Sequence, residues 1–406
     1  MTDARPADSP LWTGPRLHEF VAMMAALMAV NALAIDSMLP ALPSIGASLN
    51  VADENQRQLV ITAYLLGFGV AQLPYGPFSD RFGRKPILVV SLLFYAVFAL
   101  LAGIASSFTL LLGARFCQGL AAAGTRVLVV SIARDRFQGP TMARVMSITF
   151  IVFMLVPVLA PALGQAILAV ATWRVIFITL AIYGAAVLTW ALIRLPETLP
   201  VEKRRPLSLS KIREAVSMTL THRLSIGNTL ALTLVMGGLF SFINSIQQIV
   251  FDVFKRPDLM AVVFASIAGP MAISSYLNSR IVERIGSRRI MLAGLALFAG
   301  IATLHLGISY FLGENLLTFI VLQALTMACF GLISANLGSV AMQPLGHIAG
   351  TASSVQGLIT TVGGALIGLW VGQHFNGTTI PLLAGFALCG FAGLLLAVWA
   401  NRPQPA

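Results

Sequence analysis

The stretch GPFSDRFGRKP, residues 76–86, carries four charged side chains: Asp80, Arg81, Arg84 and Lys85. Residues 58–79 before it and 87–114 after it carry none. Charge confined to a short turn between two long apolar runs implies that the runs lie in a medium that excludes charge and that the turn is where the chain leaves it. The same alternation continues outward through the whole chain. Of 406 residues, 10% are charged and 57% hydrophobic, and the mean hydropathy is +0.87; a soluble domain is about one quarter charged. A water-soluble fold is excluded.

Crossing about 30 Å of hydrocarbon takes about 20 apolar residues as helix. Twelve stretches of that kind occur, near residues 18–39, 58–79, 86–105, 107–132, 145–168, 174–194, 224–250, 260–280, 289–310, 315–340, 348–372 and 379–400. Backbone groups in lipid must be satisfied within the segment, and barrel strands would alternate polar with apolar, so these continuous runs are helices. The sequence therefore predicts an all-α membrane protein with twelve transmembrane helices. The first run follows TGPRLHEF (13–20) without a cleavage site and reads as a retained helix, not a signal peptide.

A net charge of +11 raises nucleic acid as a partner, but placement argues against it. With both termini on the inner side, the inner loops and tails hold 20 of the 26 Lys and Arg; the outer loops hold Arg57, Arg174, Lys255 and Arg256. That asymmetry is topogenic and puts both termini on the cytoplasmic side of the membrane. Trp12, Trp190 and Trp399 fall at the inner interface and Trp173 and Trp370 at the outer. Cys117, Cys329 and Cys389 all lie inside spans, so no disulfide framework is implied.

The persistently polar segment 196–223 divides the spans six and six. Sliding the opening turn along by about half the chain places SRIVERIGSRR (279–289) beneath it, with Glu283-Arg284 under Asp80-Arg81 and Gly286 under Gly83. LLGARFCQGL (111–120) likewise matches LLTFIVLQAL (316–325), with Gln323 under Gln118 and Ile320 under Arg115. The expected organisation is a cytoplasmic tail (1–17), a six-helix bundle (18–195), a cytoplasmic linker (196–223), a second six-helix bundle (224–400) and a tail (401–406), the pseudo-symmetric bundles enclosing a central cavity.

GFGVAQLPYGPFSDRFGRK (67–85) carries the full signature turn of the major facilitator superfamily, which the chain resembles over nearly its whole length. LGARFCQGLAAAG (112–124) is similar to the superfamily's arginine-bearing fourth span. NALAIDSMLPALPSI (31–45), GTASSV (350–355) and LPET (195–198) together look like the Bcr/CflA branch of drug:proton antiporters. PVLAPALGQ (157–165) departs from that branch: it keeps Pro161 and Gly164 but lacks two glycines of the usual fifth-span pattern. Pro157, Pro161 and Gly164 are still expected to bend the helix, because proline removes a backbone donor.

Three ionisable residues lie inside spans away from their ends: Asp36, Arg115 and Arg126. Each costs at least about 2.5–3.5 kcal/mol to insert and calls for a reason. Asp36, among alanine, leucine and methionine, is the one embedded carboxylate; it reads as a proton carrier at one proton per cycle, or as a helix-end acid wetted from outside before Pro40. Arg115, at similar depth, pairs either with Asp36 or with backbone carbonyls, or serves as structural glue. Arg126 lies eleven residues further on, a net rotation of about 20° and about 16 Å along the axis, so the two arginines share a face; Arg126 faces the cavity or snorkels to the inner headgroups. Two cations against one titratable acid favour neutral, zwitterionic or anionic cargo over lipophilic cations.

Polar and aromatic stripes complete the candidate cavity: Phe240, Asn244, Gln247 and Gln248 on span 7, Tyr64, Phe68, Gln72 and Tyr75 on span 2, with Asn31, Gln118 and Gln323. Any one of these could instead be an interhelical hydrogen bond, worth about 0.6 kcal/mol. His305 reads as packing. By resemblance, Gly76, Asp80, Arg81, Gly83, Arg84 and Lys85 form a cytoplasmic gate, with the aspartate near a helix N-terminus; the bland alternative is that the charges only set topology. No metal-ligand cluster, nucleotide loop or nucleophile triad occurs, so no cofactor, metal or enzymatic activity is expected. The implied function is monomeric, proton-driven export of small organic molecules, with neutral chloramphenicol-like or bicyclomycin-like drugs favoured by the resemblance. Export of a normal metabolite, or a non-transporting sensor or scaffold, are the alternatives.

Overall fold

The computed structural model describes residues 14–402 apart from 138, 205 and 208. Trp12 and most of both predicted tails lie outside the described residues. The first half contains α1 (Leu17–Asp36), α2 (Leu42–Ser48), α3 (Leu59–Phe82), α4 (Arg84–Gly103), α5 (Phe108–Arg136), α6 (Gly139–Val170) and α7 (Trp173–Arg194). α8 (Leu209–Thr221) lies in the linker. The second half contains α9 (Arg223–Gln248), α10 (Met260–Ile285), α11 (Ser287–Leu312), α12 (Leu316–Met342), α13 (Ala349–Gln373) and α14 (Ile380–Ala400).

Among the described residues, eleven helices are long and apolar enough to cross a membrane. α6, continuous over 32 residues through Pro157 and Pro161, occupies the place of the remaining predicted span; its apolar stretch Leu155–Val170 is the part whose side chains are fully described. The sequence reading missed two short elements. The connection 196–223 contains a helix, α8, packed on α13 and α9. The end of the first span turns through a 3-10 segment, Leu39–Ala41, into α2, because Pro40 cannot continue the hydrogen-bond ladder of α1.

The repeat is visible in the backbone. α3 ends on Gly83 at φ +101° and α10 ends on Gly286 at φ +87°, each followed at once by the next helix. A side chain is disfavoured at either angle, which is why glycine occupies both turns.

Within the first half, α3 flanks α5 on one side and α1 on the other, while α4 packs behind it. Ser91 of α4 donates to the Ala121 carbonyl of α5 at 2.6 Å, which fixes that rear contact. The face of α5 between α3 and α1 carries Arg115, Gln118, Ala122 and Arg126, spaced at three to four residues; the first three are buried and Arg126 is exposed. The halves themselves meet along two seams, α3 against α13 and α6 against α10.

Candidate functional site

The first feature is a polar corner in which a carboxylate and an arginine lie close in depth but are not joined. Arg115 is fully buried. Its Nε donates to the Val60 carbonyl at 3.1 Å, Nη2 to the Ala34 carbonyl at 2.9 Å, and Nη1 to Gln118 Oε1 at 2.7 Å. The Tyr64 ring lies 4.5 Å below the guanidinium, and Tyr64 approaches α5 this closely because a Cβ on Gly119 would overlap the Tyr64 carbonyl. Of the two partners open to Arg115 in the sequence, the structure selects backbone carbonyls. Asp36, two residues beyond the Ala34 carbonyl, is 5% exposed, and its Oδ1 has no hydrogen-bond partner.

Below this corner an aromatic wall runs along α3. Tyr64 and Phe68 stack at 6.3 Å with their planes 8° apart. The Arg126 guanidinium lies 5.8 Å from the Phe68 ring. Unlike Arg115, Arg126 is exposed. Tyr64 also donates to Asn31 Oδ1 at 2.9 Å, and Asn31 to Thr125 Oγ1 at 3.0 Å, so Asn31 ties α1, α3 and α5 together.

The remaining cavity candidates divide between the bundle interface and the second bundle's interior. Gln58 Nε2 donates to Gln248 Oε1 at 2.5 Å and to the Gly372 carbonyl at 3.1 Å. Gln248 Nε2 donates to Asn55 Oδ1 at 2.7 Å, and Gln373 Nε2 to the Asn55 carbonyl at 2.7 Å. Asn244 reaches Thr62 at 3.4 Å and Gln72 reaches Thr361 at 2.9 Å. On the other seam, Gln165 of α6 donates to the Pro257 carbonyl at 2.8 Å and accepts from the Ala261 N–H at 3.2 Å. The bonds of Asn55, Gln58, Gln165, Gln248 and Gln373 form an amide clasp across the halves at the end remote from the 76–86 turn, and Gln72–Thr361 joins the halves near the middle of α3. Gln247, Gln323 and Phe240 are buried, and both polar atoms of the Gln323 amide are unpartnered.

The charged turn forms a network confined to the first half. Arg84, 4% exposed, pairs with Asp80 at 2.6 Å and with Asp135 of α5 at 3.0 Å, and donates to Ser79 Oγ at 2.6 Å. Glu197, from the LPET segment, accepts from the backbone N–H groups of Arg84 and Lys85 at 2.9 and 3.3 Å. Lys85 Nζ donates to the Leu192 carbonyl at 2.9 Å, and Arg81 lies against Phe82. Asp80 sits in the last turn of α3 and pairs with the first residue of α4, while Glu197 caps α4, where an anion meets unpaired N–H groups and the positive end of the dipole. Gly76 packs toward Ser354 of α13.

His305 does more than pack. Its Nε2 lies 2.8 Å from Glu314 Oε2, with both side chains buried, and Thr379 hydrogen-bonds Glu314 from the neighbouring loop. The only sequence signal was a titratable pair nine residues apart across the turn between spans 9 and 10. Gly164 of α6 abuts the Ser37 carbonyl beside Asp36, leaving no room for a Cβ.

Two repeated halves of long apolar helices, eleven of which among the described residues are long enough to cross a membrane, with ionisable side chains buried among them, fit a membrane transporter. The major facilitator superfamily model matches residues 24–368, and the chain belongs to that family. It is similar to the multidrug resistance protein MdtL of Salmonella heidelberg, 31% identical over 95% of this chain and 96% of the relative. It is also similar to the bicyclomycin resistance protein homolog of Haemophilus influenzae, 28% identical over 91% of this chain and 93% of the relative. Among solved structures, the partially occluded inward-open xylose transporter XylE from E. coli superposes with a TM-score of 0.74 at 12% identity, covering 95% of this chain and 98% of that one. The human organic anion transporter MFSD10 superposes at 0.70 and 19% identity, covering 95% of this chain and 100% of that one. At such identities these two likenesses concern the fold alone.

Proposed function

We propose that this transporter exports small organic molecules from a bacterial cell in exchange for protons, one per cycle, by alternating access between its two bundles. The similarity to multidrug and bicyclomycin resistance proteins supports drug-like cargo. The observation that carries the coupling is Asp36, a buried acid whose Oδ1 has no partner while Arg115 bonds the carbonyl of Ala34 two residues earlier. Burying an ionised carboxylate without a partner costs several kcal/mol, and the protonated acid avoids that cost. Proton occupancy therefore follows whether the corner is dry or wet, which is the property an antiporter needs.

The positive-inside rule assigns the basic 76–86 turn and both termini to the cytoplasm. The amide clasp then joins the halves at the outer end. The clasp consists of neutral hydrogen bonds, each worth about 0.5–1.5 kcal/mol net, so it is weak enough to break in every cycle. Protonation of Asp36 from outside would accompany cargo release, and deprotonation inside would reset the carrier, with the membrane field contributing about 2.3 kcal/mol per charge per 100 mV.

The test uses purified protein in liposomes with an imposed pH gradient. Asp36→Asn should insert and melt like the wild type yet lose gradient-driven efflux. Active efflux retained in that variant would remove Asp36 from the mechanism, and a wild type that moves no compound under the gradient would favour a sensor.

A further inference from the structure

The two arginines on the front of α5 differ in one respect that the reading above leaves unused. Each guanidinium nitrogen of Arg115 has an acceptor, two carbonyls and an amide oxygen, and no part of it is accessible. Arg126 is accessible, and its contact is the Phe68 ring; among the described residues it has no hydrogen bond and no ion pair.

Snorkelling does not explain Arg126. Phe68 lies fourteen residues before the end of α3 at Phe82, roughly 21 Å up the helix from that end. A guanidinium level with Phe68 is therefore near mid-depth and out of reach of headgroups. It does not face lipid either, because α4 backs α5, α3 and α1 flank it, and Arg126 shares the front face with Arg115.

The acids of the first half do not neutralise it. Asp80 and Asp135 are taken by Arg84, Glu197 caps α4, and Glu19 pairs with Arg194 at 2.7 Å. Asp36 belongs to the Arg115 corner, about 16 Å along the axis of α5 from Arg126. A cation held at that depth without a counter-ion is costly, and its N–H donors, five on a guanidinium, are free to meet an acceptor that arrives with the cargo.

We propose that Arg126 forms a subsite for the carboxylate of an organic monoanion. The guanidinium fork binds the carboxylate bidentately, and the buried Phe68 ring, 5.8 Å from the guanidinium, backs it. Arg126 is then the specificity-determining residue that separates acids from their neutral isosteres. This assignment rests on the export reading above and narrows its cargo. It has an energetic consequence: a monoanion leaving as a proton enters moves two charges in the sense favoured by an interior-negative membrane, so each cycle draws on about 4.6 kcal/mol per 100 mV.

A matched pair of probes tests it: 1-naphthoate and 1-naphthamide, equal in shape and different in charge, titrated calorimetrically into the detergent-solubilised full chain at fixed neutral pH. The wild type should prefer the acid by about tenfold or more, the scale of one charge-assisted contact. Arg126→Gln should bring the ratio of the two affinities to about one, and Arg126→Lys, which keeps the charge but loses the fork, should give an intermediate ratio. The ratio is the readout, so a general loss of affinity does not imitate the result. A wild type that binds the amide as well as the acid, or binds neither, overturns the subsite, as does an acid preference that survives Arg126→Gln. The lysine variant still tests the proposal if the glutamine variant does not fold. With no gradient present, the outcome is independent of proton coupling, and the Asp36→Asn liposome test can fail or succeed separately.

Discussion

The two halves share a backbone but not a chemistry. The turns at Gly83 and Gly286 use the same positive φ to pass from one helix to the next, yet only the first is surrounded by a network, with Arg84 held by Asp80 and Asp135 and the next helix capped by Glu197. Around the second turn, Glu283, Arg284, Arg288 and Arg289 are exposed, and no ion pair among the described residues joins them. Likewise α5 carries Arg115 with Gln118 as its acceptor, whereas α12 has Ile320 in the matching place and a buried Gln323 whose amide has no partner. The repeat presents the scaffold twice, and the ion-pair network is built on the first copy of the turn. The second half shows what the fold requires without that charge.

That contrast can be attacked in order of expected effect. Replacing Arg115 by isoleucine, the residue at the matching position, should destabilise the first bundle by about 3 kcal/mol or more, because the Val60 and Ala34 carbonyls and Gln118 lose their donor inside the protein. Thermal melting in detergent would show the loss, and liposome efflux should vanish with it. A melting temperature within a degree or two of wild type would mean that the arginine is dispensable packing in both halves.

Gly83→Ala and Gly286→Ala form the next comparison. Both place a side chain at positive φ, a strain of about 1–2 kcal/mol. At Gly83 the new Cβ also collides with the Glu197 carboxylate that caps α4, whereas at Gly286 it meets open space. The first substitution should therefore lower the melting temperature more than the second, and equal effects would deny the network a structural role.

The smallest effect is expected at His305–Glu314, where the second half does hold a buried titratable pair. Burial pushes the Glu314 carboxyl up, but hydrogen bonds from His305, Thr379 and Ser309 and the charge of the imidazole outweigh it and hold the group below the usual carboxylate range. A group depressed in the folded state stabilises it above the unfolded value, about 4.3, and that contribution disappears as pH falls through the folded value. Glu314→Gln should thus melt earlier than wild type at neutral pH and converge with it as pH falls through the folded value. A gap that stays constant with pH would mean that the pair contributes through packing alone.

How far the sequence could be read follows from the range of each signal. The spans, the charged turn and the repeat rest on local composition and spacing, so they were legible. The shared face of Arg115 and Arg126 was legible too, because helical geometry sets it. Which acceptor Arg115 chooses was not, since carboxylate and carbonyl lie at the same depth and only three-dimensional placement separates them. Asn55, Gln58 and Gln373 stand at helix ends, where polar residues are ordinary, and nothing local announces that they meet Gln248 across the molecule. LPET was recognisable as a family mark, but its glutamate's place at the start of α4 depends on a chain reversal more than one hundred residues away in sequence. α8 went unseen because its polar face made the linker resemble a loop.

Consecutive residues of α6 touch opposite sides of the machine. Gly164 lies against the Ser37 carbonyl at the end of α1, one residue past the embedded acid, while Gln165 grips the start of α10 in the other half through Pro257 and Ala261. If the halves part at that end, the tug on position 165 arrives one residue from the wall of the acid's compartment. On the coupling proposed above, the helix is a short crank between mechanical stroke and hydration, and a slack joint at either residue would let the bundles swing without consuming the ion gradient.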